Sequence, residues 1–348
     1  MPPSPSCRIM EAVFGGALLG VASGVYMIVA GKVAGCSGGF KQSISASTFD
    51  RSGTDASRIS TILFSFGLIL AGLITSFVAP WGYEPYATIS DEWAFYVFGG
   101  LLIGSGTYFA NGCTSGHGLS GISRLSLRSF IATPIFMAAA ALTAMIKSSF
   151  AVGPMVPFAA MPAERYVDIG YIVLGLFILA GPIVLLYRKQ KEKNENKHNT
   201  KKLILYTGCW SGLTFGSGLA IGGMVRPSAI AHALTPQNFD FTLWILFSTG
   251  LAFTFGLYRI AEHVMKIKEA RCVKQGPYDK KLMIGSVLFG VGWGLIGMCP
   301  GPILVGLVAD FNSLATGSSP TGGPLLCFVC VTVGQFVSAM FDYKSKCT

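Results

Sequence analysis

Long stretches without a charged side chain recur along the whole of this 348-residue chain. Most of them reach or exceed the roughly 18 to 20 residues that a helix needs to cross a bilayer. They span residues 12–31, 59–83, 94–123, 129–146, 169–187, 203–225, 241–258, 282–309 and 311–341. Charged residues make up only 12% of the chain, about half the share found in soluble globular proteins. The pattern predicts an all-α polytopic membrane protein, because a helix satisfies its backbone hydrogen bonds within its own segment.

Clusters of lysine and arginine between the apolar runs set the expected topology. Residues 188–202 contain seven cations against two glutamates, and such loops remain on the cytoplasmic side. Counting in both directions from this loop gives about nine transmembrane helices, with basic residues 259–281 inside and the N-terminus outside. The net charge of +10 then reports topology, so no nucleic-acid partner is expected. The chain is expected in the plasma or inner membrane, with an organelle membrane left open.

Two parts of the chain repeat one another around a central linker. Residues 1–150 and 203–348 each hold four predicted spans in similar spacing, and residues 151–202 supply one further span and the basic loop. Because a single span separates the two halves, they should face opposite ways across the bilayer. The sequence therefore predicts an inverted internal repeat.

Each half is interrupted twice by a short cluster of helix-breaking residues. The first breaks fall at residues 31–39 and 222–228, and the second at residues 111–118 and 297–302. Irregular backbone at membrane depth is tolerated only where it is buried in protein or lines a cavity, and the helix starts beside it present a positive dipole end. No Asp or Glu lies inside an apolar run. The breaks therefore predict short re-entrant or broken helices that line the path of an anion.

Three cysteines lie within these breaks. Cys113 and Cys299 occupy the equivalent second breaks, and Cys36 lies in the first break of the first half. A neutral thiol is polarizable and donates only weakly, so it suits a soft, sulfur-bearing anion better than the oxygens of sulfate. The other residues of the predicted pathway are Asn111, Thr114, Ser115, His117, Pro300 and Gly301, and the candidate anion-attracting mouths are Lys32 and Arg226.

Structural explanations compete with several of these roles. Lys32 and Arg226 could simply extend to the membrane surface, as cations near span ends do, and His117 could serve a structural turn. Cys327 and Cys330 form a C-x-x-C pair that is compatible with thiol redox chemistry or with packing on one helical face. A metal site would need more regularly spaced ligands than the break around His117 offers, so neither a metal nor a cofactor is expected.

The second break of the first half and the residues after it, with the sequence NGCTSGHGLSGISRLSLRSF at 111–130, resemble the YeeE/YedE sulfur-transport family. Members of that family include bacterial thiosulfate uptake proteins. Residues 31–36, 215–224 and 297–302 strengthen the likeness, which covers nearly the whole chain. The resemblance implies nine spans with re-entrant helices in an inverted repeat, and passage of thiosulfate along a narrow line of cysteine thiols. Those thiols would correspond to Cys113 and Cys299 and, less closely, to Cys36.

The chain departs from this family pattern in two places. Many bacterial relatives carry an acidic or amide residue where Arg226 precedes Pro227, which leaves the identity of the anion open. Other relatives are split into two half-length chains, each similar to one half here. Residues 188–202 resemble the joint of a fusion between two such chains.

The leading hypothesis is a non-enzymatic permease for thiosulfate or a related sulfur-containing anion, with an unidentified cytoplasmic sulfur acceptor protein as a further partner. One alternative is a membrane thiol enzyme that acts as a sulfurtransferase or redox relay. The other is a channel for a non-sulfur anion. Delivery of intact substrate distinguishes the permease from the enzyme, and tolerance of serine at the pathway cysteines would indicate the channel.

Overall fold

The computed structural model describes residues 5–48, 55–78, 83, 89–150, 183–184, 197–236, 239–271, 279–315 and 322–347. These residues are mostly helical and include no strand. Seven of the helical segments are long and apolar enough to cross a membrane. The predicted all-α polytopic membrane protein is therefore confirmed.

The described residues fall into two series of elements in the same order. The first series is α1 (Pro5–Ala30), α2 (Cys36–Thr48), α3 (Asp55–Val78), α4 (Ile89–Ala110), a π-helix (Thr114–Gly121) and α5 (Leu127–Phe150). The second is α6 (Lys197–Ile221), α7 (Pro227–Leu234), α8 (Thr242–His263), α9 (Lys280–Ile296), α10 (Pro300–Ala315) and α11 (Gly323–Cys347). A single 3₁₀ turn, Lys268–Ala270, follows α8.

Helices occupy eight of the nine predicted spans. The seven most apolar segments are Ile9–Ala30, Arg58–Val78, Trp93–Ala110, Leu127–Ser149, Thr242–His263, Lys280–Val308 and Gly323–Asp342. Helix α6 covers the eighth predicted span and begins inside the basic loop, at Lys197. The predicted span at 169–187 lies, apart from residues 183–184, outside the described residues. The orientation of the spans in the membrane stays a prediction.

The two series pack against each other reciprocally. Helix α1 lies against α8 as α6 lies against α3, and α4 lies against α11 as α9 lies against α5. Glycines allow the backbones to approach: a Cβ on Gly15 would lie 2.7 Å from the carbonyl oxygen of Gly218, and one on Gly292 would lie 2.7 Å from that of Gly99. Close helix contact at small residues is the usual packing of membrane bundles. It brings the interrupted segments of both series to the centre of the molecule.

Each of the four predicted breaks contains a residue with positive φ within two residues of the end of the preceding helix. Gly31 (φ 64°) follows α1, Asn111 (φ 58°) follows α4, Gly223 (φ 77°) follows α6 and Gly297 (φ 64°) follows α9. This left-handed conformation is the common way for a helix to end. Helices α9 and α10 belong to one apolar segment, which the break at Gly297 divides.

Candidate functional site

The starts of three helices meet at the breaks, and each carries one of the predicted cysteines. Cys36 is the first residue of α2, Cys113 immediately precedes the π-helix, and Cys299 immediately precedes α10. All three side chains are buried, with at most 2% of their surface exposed, and all three thiols are free. The structure therefore brings together cysteines that are far apart in the sequence and come from both series.

Two hydroxyl side chains of the π-helix connect the three cysteines. The Ser115 hydroxyl accepts a hydrogen bond from the backbone amide of Cys36 at 3.1 Å and lies 3.1 Å from Cys113 Sγ. The Thr114 hydroxyl donates to Cys299 Sγ at 3.4 Å. These contacts hold the helix starts in a fixed relation to one another.

A glycine in the first turn of α10 allows the closest approach between the two series at this site. A Cβ on Gly301 would lie 2.8 Å from Cys36 Sγ, which is shorter than real contacts of a Cβ. Only glycine therefore leaves room for the thiol of Cys36 against α10. Gly297 has a similar role beside α7, because a Cβ there would lie 2.8 Å from the carbonyl oxygen of Pro227.

A cavity of about 180 Å³ adjoins the three thiols. Its wall is apolar and is formed mainly by α1, α5, α6, α7, α8 and α9. Besides Cys36, Cys113, Thr114, Ser115, Cys299 and Gly301, the lining residues are Leu19, Leu119, Thr133, Phe136, Met137, Phe215, Leu219, Met224, Ile230, Ala233, Leu234, Leu243, Trp244, Leu246, Phe247, Trp293 and Pro302. Among the residues whose side chains the structure describes, Cys36 is the one lining residue from α2, and α10 contributes residues of its first turn.

Charge at the site comes from the backbone. None of the lining residues that the structure describes carries a charged side chain, whereas helix starts leave unsatisfied amides and a partial positive charge. Helix α10 begins with Pro300 and Pro302, which have no N–H, so its first turn directs few amides at the thiols. An anion at a site of this kind would be attracted weakly, without a fixed counter-ion among the described lining residues.

Three of the predicted pathway residues, Asn111, His117 and Pro300, lie outside the described part of the cavity wall. Asn111 is exposed, and its Oδ1 accepts a hydrogen bond from Lys41 Nζ at 2.8 Å. His117 is buried, with Nε2 3.0 Å from the carbonyl oxygen of Ala110 and Nδ1 3.0 Å from the Ser129 hydroxyl. A carbonyl oxygen can only accept, so the ring proton is on Nε2 and the serine donates to Nδ1. His117 thus connects the π-helix to α4 and α5.

Lys32 and Arg226 also lie outside the described part of the cavity wall. Lys32 Nζ donates to the Thr61 hydroxyl at 2.6 Å. Arg226 is only 4% exposed and directly precedes α7, whereas Lys32 lies four residues before α2. The two cations therefore do not occupy equivalent places, and their role as anion-attracting mouths stays a prediction.

The C-x-x-C pair is separate from the cysteine site. Cys327 and Cys330 are buried in α11 against α4. Cys327 Sγ lies 3.9 Å from the carbonyl oxygen of Tyr96, and a Cβ on Gly100 would lie 2.7 Å from Cys330 Cβ. Neither lines the cavity, and these contacts are those of helix packing. Within the ranges that the structure describes, no group of three or more His, Cys, Asp or Glu side chains could hold a metal ion.

Sequence reasoning missed the polar residues in the cavity wall away from the breaks. These are Thr133 in α5, Trp244 in α8 and Trp293 in α9, and all three line the cavity. The available signal was the position of Trp293, six residues before Cys299 in a helix otherwise rich in glycine. Thr133 gave no comparable signal, because its exposure to the cavity depends on how α5 packs against α9.

Comparisons with known proteins match the two halves separately. Residues 6–142 match a family described as sulphur transport, and residues 203–347 match a family of unknown function. A protein of Xylella fastidiosa (strain 9a5c) named "Probable transporter" is 36% identical over 132 residues, which cover 38% of this chain and 90% of that protein. A second probable transporter of that strain is 32% identical over 124 residues, 34% of this chain and 77% of the relative. Both relatives are therefore about as long as one half of this chain.

Proposed function

The chain belongs to the sulphur-transport family, and from this premise we propose that it is a permease for thiosulfate or a closely related sulfur-containing anion. It is an integral multi-pass membrane protein, and its relatives are named probable transporters. The observation that carries the proposal is the meeting of Cys36, Cys113 and Cys299 at three helix starts beside one cavity. The anion passes intact, and the protein has no enzymatic activity.

The chemistry of the cavity suits a soft anion that must both bind and leave. A thiol is polarizable and interacts well with a terminal sulfur atom, whereas sulfate presents only oxygens. Helix starts supply the positive potential, and none of the described lining residues carries a charge that would trap the anion. Conduction requires binding that is favourable enough for capture and weak enough for release. Neutral thiols in an apolar wall meet both conditions.

The reciprocal packing supports an inverted repeat. The contact of α1 with α8 corresponds to the contact of α6 with α3. Reciprocal contacts of this kind are those expected between the two copies of a two-fold symmetric dimer. A single span between the halves would turn the second one over in the membrane. Residues 1–150 and 203–348 then act as two fused half-transporters, with residues 151–202 as the link and the cysteines where the halves meet.

Positive charge in residues 188–202 supports a cytoplasmic position for this loop and an external N-terminus. In this orientation the protein imports its anion through the plasma or inner membrane. A cytoplasmic sulfur acceptor protein would then take over the delivered substrate.

The test is uptake of radiolabelled thiosulfate by cells that lack their own sulfur importers. Cells with the unmodified chain should accumulate the label, and Cys113→Ser and Cys299→Ser should each reduce uptake by at least about tenfold, because a hydroxyl lacks the polarizability of a thiol. Cys209→Ser is the matched control, since Cys209 lies in α6 and does not line the cavity. Variants must be compared at equal expression.

Two results would count against this proposal. If the unmodified chain takes up nothing, thiosulfate is not its substrate. If serine at both positions transports as well as cysteine, the thiols are not the pathway. Recovery of intact thiosulfate from the cells, labelled on its terminal sulfur, separates a permease from a sulfurtransferase.

A further inference from the structure

Two hydrogen-bonding atoms in the cavity wall have no partner among the described residues. They are Nε1 of Trp293 and Oγ1 of Thr133, and both are buried. The remaining polar side chains of the wall are engaged: Trp244 Nε1 donates to the carbonyl oxygen of Ala233 at 3.1 Å, and the hydroxyls of Thr114 and Ser115 contact the cysteines.

A buried indole N–H without an acceptor is unfavourable, because the indole nitrogen can only donate and has given up its hydrogen bond to water. The surrounding aromatic rings fix the indole: Trp293 stacks on Phe289 at 6.2 Å between ring centroids and meets Phe136 edge-on, also at 6.2 Å. Its carbonyl oxygen accepts from the Gly297 amide at 2.8 Å. The ring contacts therefore hold the indole in place, and the Gly297 amide fixes the backbone of Trp293 at the end of α9.

Thr133 shares its face of α5 with Phe136 and Met137, which also line the cavity. Residues three and four apart lie on one side of a helix, so rotation of the Thr133 side chain brings its hydroxyl toward the same space. Both polar atoms are covered in this structure, so an anion in the cavity would reach them only after a side-chain rotation in the wall. The cavity thus has sulfur atoms at the breaks and two spare donors on α5 and α9.

The position in α4 that corresponds to Trp293 carries no unpaired donor. Thr107 lies six residues before Cys113, as Trp293 lies six before Cys299. The Thr107 hydroxyl accepts from Gln335 Nε2 at 2.9 Å. The position equivalent to Trp293 is therefore satisfied within the protein, whereas the cavity side leaves its donor for a ligand.

We propose that Trp293 and Thr133 form an oxyanion subsite, which donates hydrogen bonds to the oxygens of a sulfur oxyanion while the terminal sulfur faces the thiols. This inference rests on the proposed transport function and adds a specificity-determining element to it. The subsite recognises anions with an SO₃ group, such as thiosulfate and sulfite, and gives no advantage to hydrosulfide, which has no oxygen.

The test uses Trp293→Phe, which keeps the aromatic ring and removes the N–H, and Thr133→Val, which keeps the volume and removes the hydroxyl. Each should raise the thiosulfate concentration for half-maximal uptake by about tenfold, the effect of one hydrogen bond to a charged group. Inhibition of uptake by sulfite should weaken equally, and inhibition by hydrosulfide should not change. Detergent gel filtration establishes that the variants remain folded.

Two matched controls lie in α6. Trp210 Nε1 and Thr214 Oγ1 are also buried without a partner among the described residues, but neither residue lines the cavity. Trp210→Phe and Thr214→Val should leave the concentration for half-maximal uptake as it is. This separates a subsite from a general effect of removing an unpaired donor.

The inference is overturned if both cavity variants transport like the unmodified chain, or if inhibition by sulfite and hydrosulfide shifts to the same extent. Failure of the unmodified chain to import thiosulfate would instead contradict the proposed function. In that event calorimetry of sulfite binding to the purified protein tests whether Trp293 forms part of an oxyanion subsite. Equal binding by the unmodified chain and Trp293→Phe would eliminate it, and weaker binding by Trp293→Phe would support it.

Discussion

The two faces of the cysteine cluster are built from corresponding elements but differ in side-chain volume. On one face, α7 and α5 border the cavity through Ile230, Ala233 and Thr133. On the other face, α2 and α11 meet through the rings of Phe40 and Phe328, whose centroids are 5.4 Å apart. Neither of these phenylalanines lines the cavity. The difference indicates that similar backbones produce one open and one filled approach to the thiols.

Glycine contacts establish which residues correspond. Gly104 lies nine residues before Cys113 and packs on Val331 of α11, and Gly290 lies nine residues before Cys299 and packs on Phe136 of α5. Three residues before each partner stand Phe328 and Thr133, respectively. A phenylalanine on one face thus corresponds to a threonine on the other. We infer that this pair sets which face is open in the conformation described here.

The largest expected effect comes from filling the open face. Thr133→Phe places a ring where the other face has Phe328, and we expect thiosulfate uptake to fall by at least about tenfold, because the added atoms occupy the cavity or force its wall apart. Uptake in whole cells at matched expression measures the effect. Leu142→Phe provides a control on the same helix, since Leu142 is 61% exposed. Normal uptake by Thr133→Phe would show that the cavity is not on the pathway.

A second prediction empties the filled face. Phe328→Ala removes one ring of the Phe40–Phe328 contact, and the remaining space should let the anion leak past the thiols without the usual barrier. We expect faster efflux of thiosulfate from preloaded proteoliposomes, by roughly three- to tenfold, together with lower stability from the lost packing. Phe98→Ala is the control, because Phe98 is 61% exposed.

Thiol labelling sharpens the same prediction. A small charged thiol reagent should reach Cys113 of the unmodified protein from the face of α7 and not from the face of α2. In Phe328→Ala it should reach Cys113 from both faces. Labelling of the unmodified protein at equal rates from both faces would contradict the distinction between an open and a filled approach.

The sequence predicted where the helices of this site are interrupted better than it predicted which side chains face the cavity. The four breaks were predictable because Gly and Pro act locally on the backbone. Clusters of helix-breaking residues mark them at residues 31–39, 111–118, 222–228 and 297–302. The meeting of Cys36 with α10 depends on Gly301 and on the packing of one half against the other. Hydropathy describes contact with lipid, so it carries no information on which apolar residues face an internal cavity.

The position of Thr133 shows this limit most clearly. Its helix is apolar around much of its circumference, and the local sequence distinguishes Thr133 from Thr143 only by Pro134, which follows Thr133 and does not indicate which face of the helix meets a cavity. The Thr143 hydroxyl donates to the carbonyl oxygen of Ala139 within the helix at 2.8 Å. The packing of α5 against α9, at Gly290 and Gly294 among other places, turns residue 133 toward the cavity. The same reasoning applies to His117, whose partners Ala110 and Ser129 come from two different helices.

The smallest expected effect concerns a polar contact at the edge of the filled face. Lys41, one residue after Phe40 in α2, donates to Asn111 Oδ1 at 2.8 Å, and its Nζ lies 5.1 Å from the centre of the Tyr108 ring. Exposed contacts of these kinds contribute about 0.5 to 1 kcal/mol each. Lys41→Gln weakens both, so α2 should separate from the end of α4 more often, and thiosulfate efflux from proteoliposomes should rise about twofold. Combined with Phe328→Ala, the substitution should add little, because the ring contact that α2 must break is already absent. The two single effects would multiply in the double variant if Lys41 acted independently of the Phe40–Phe328 contact, and an efflux rate equal to that product would contradict this prediction.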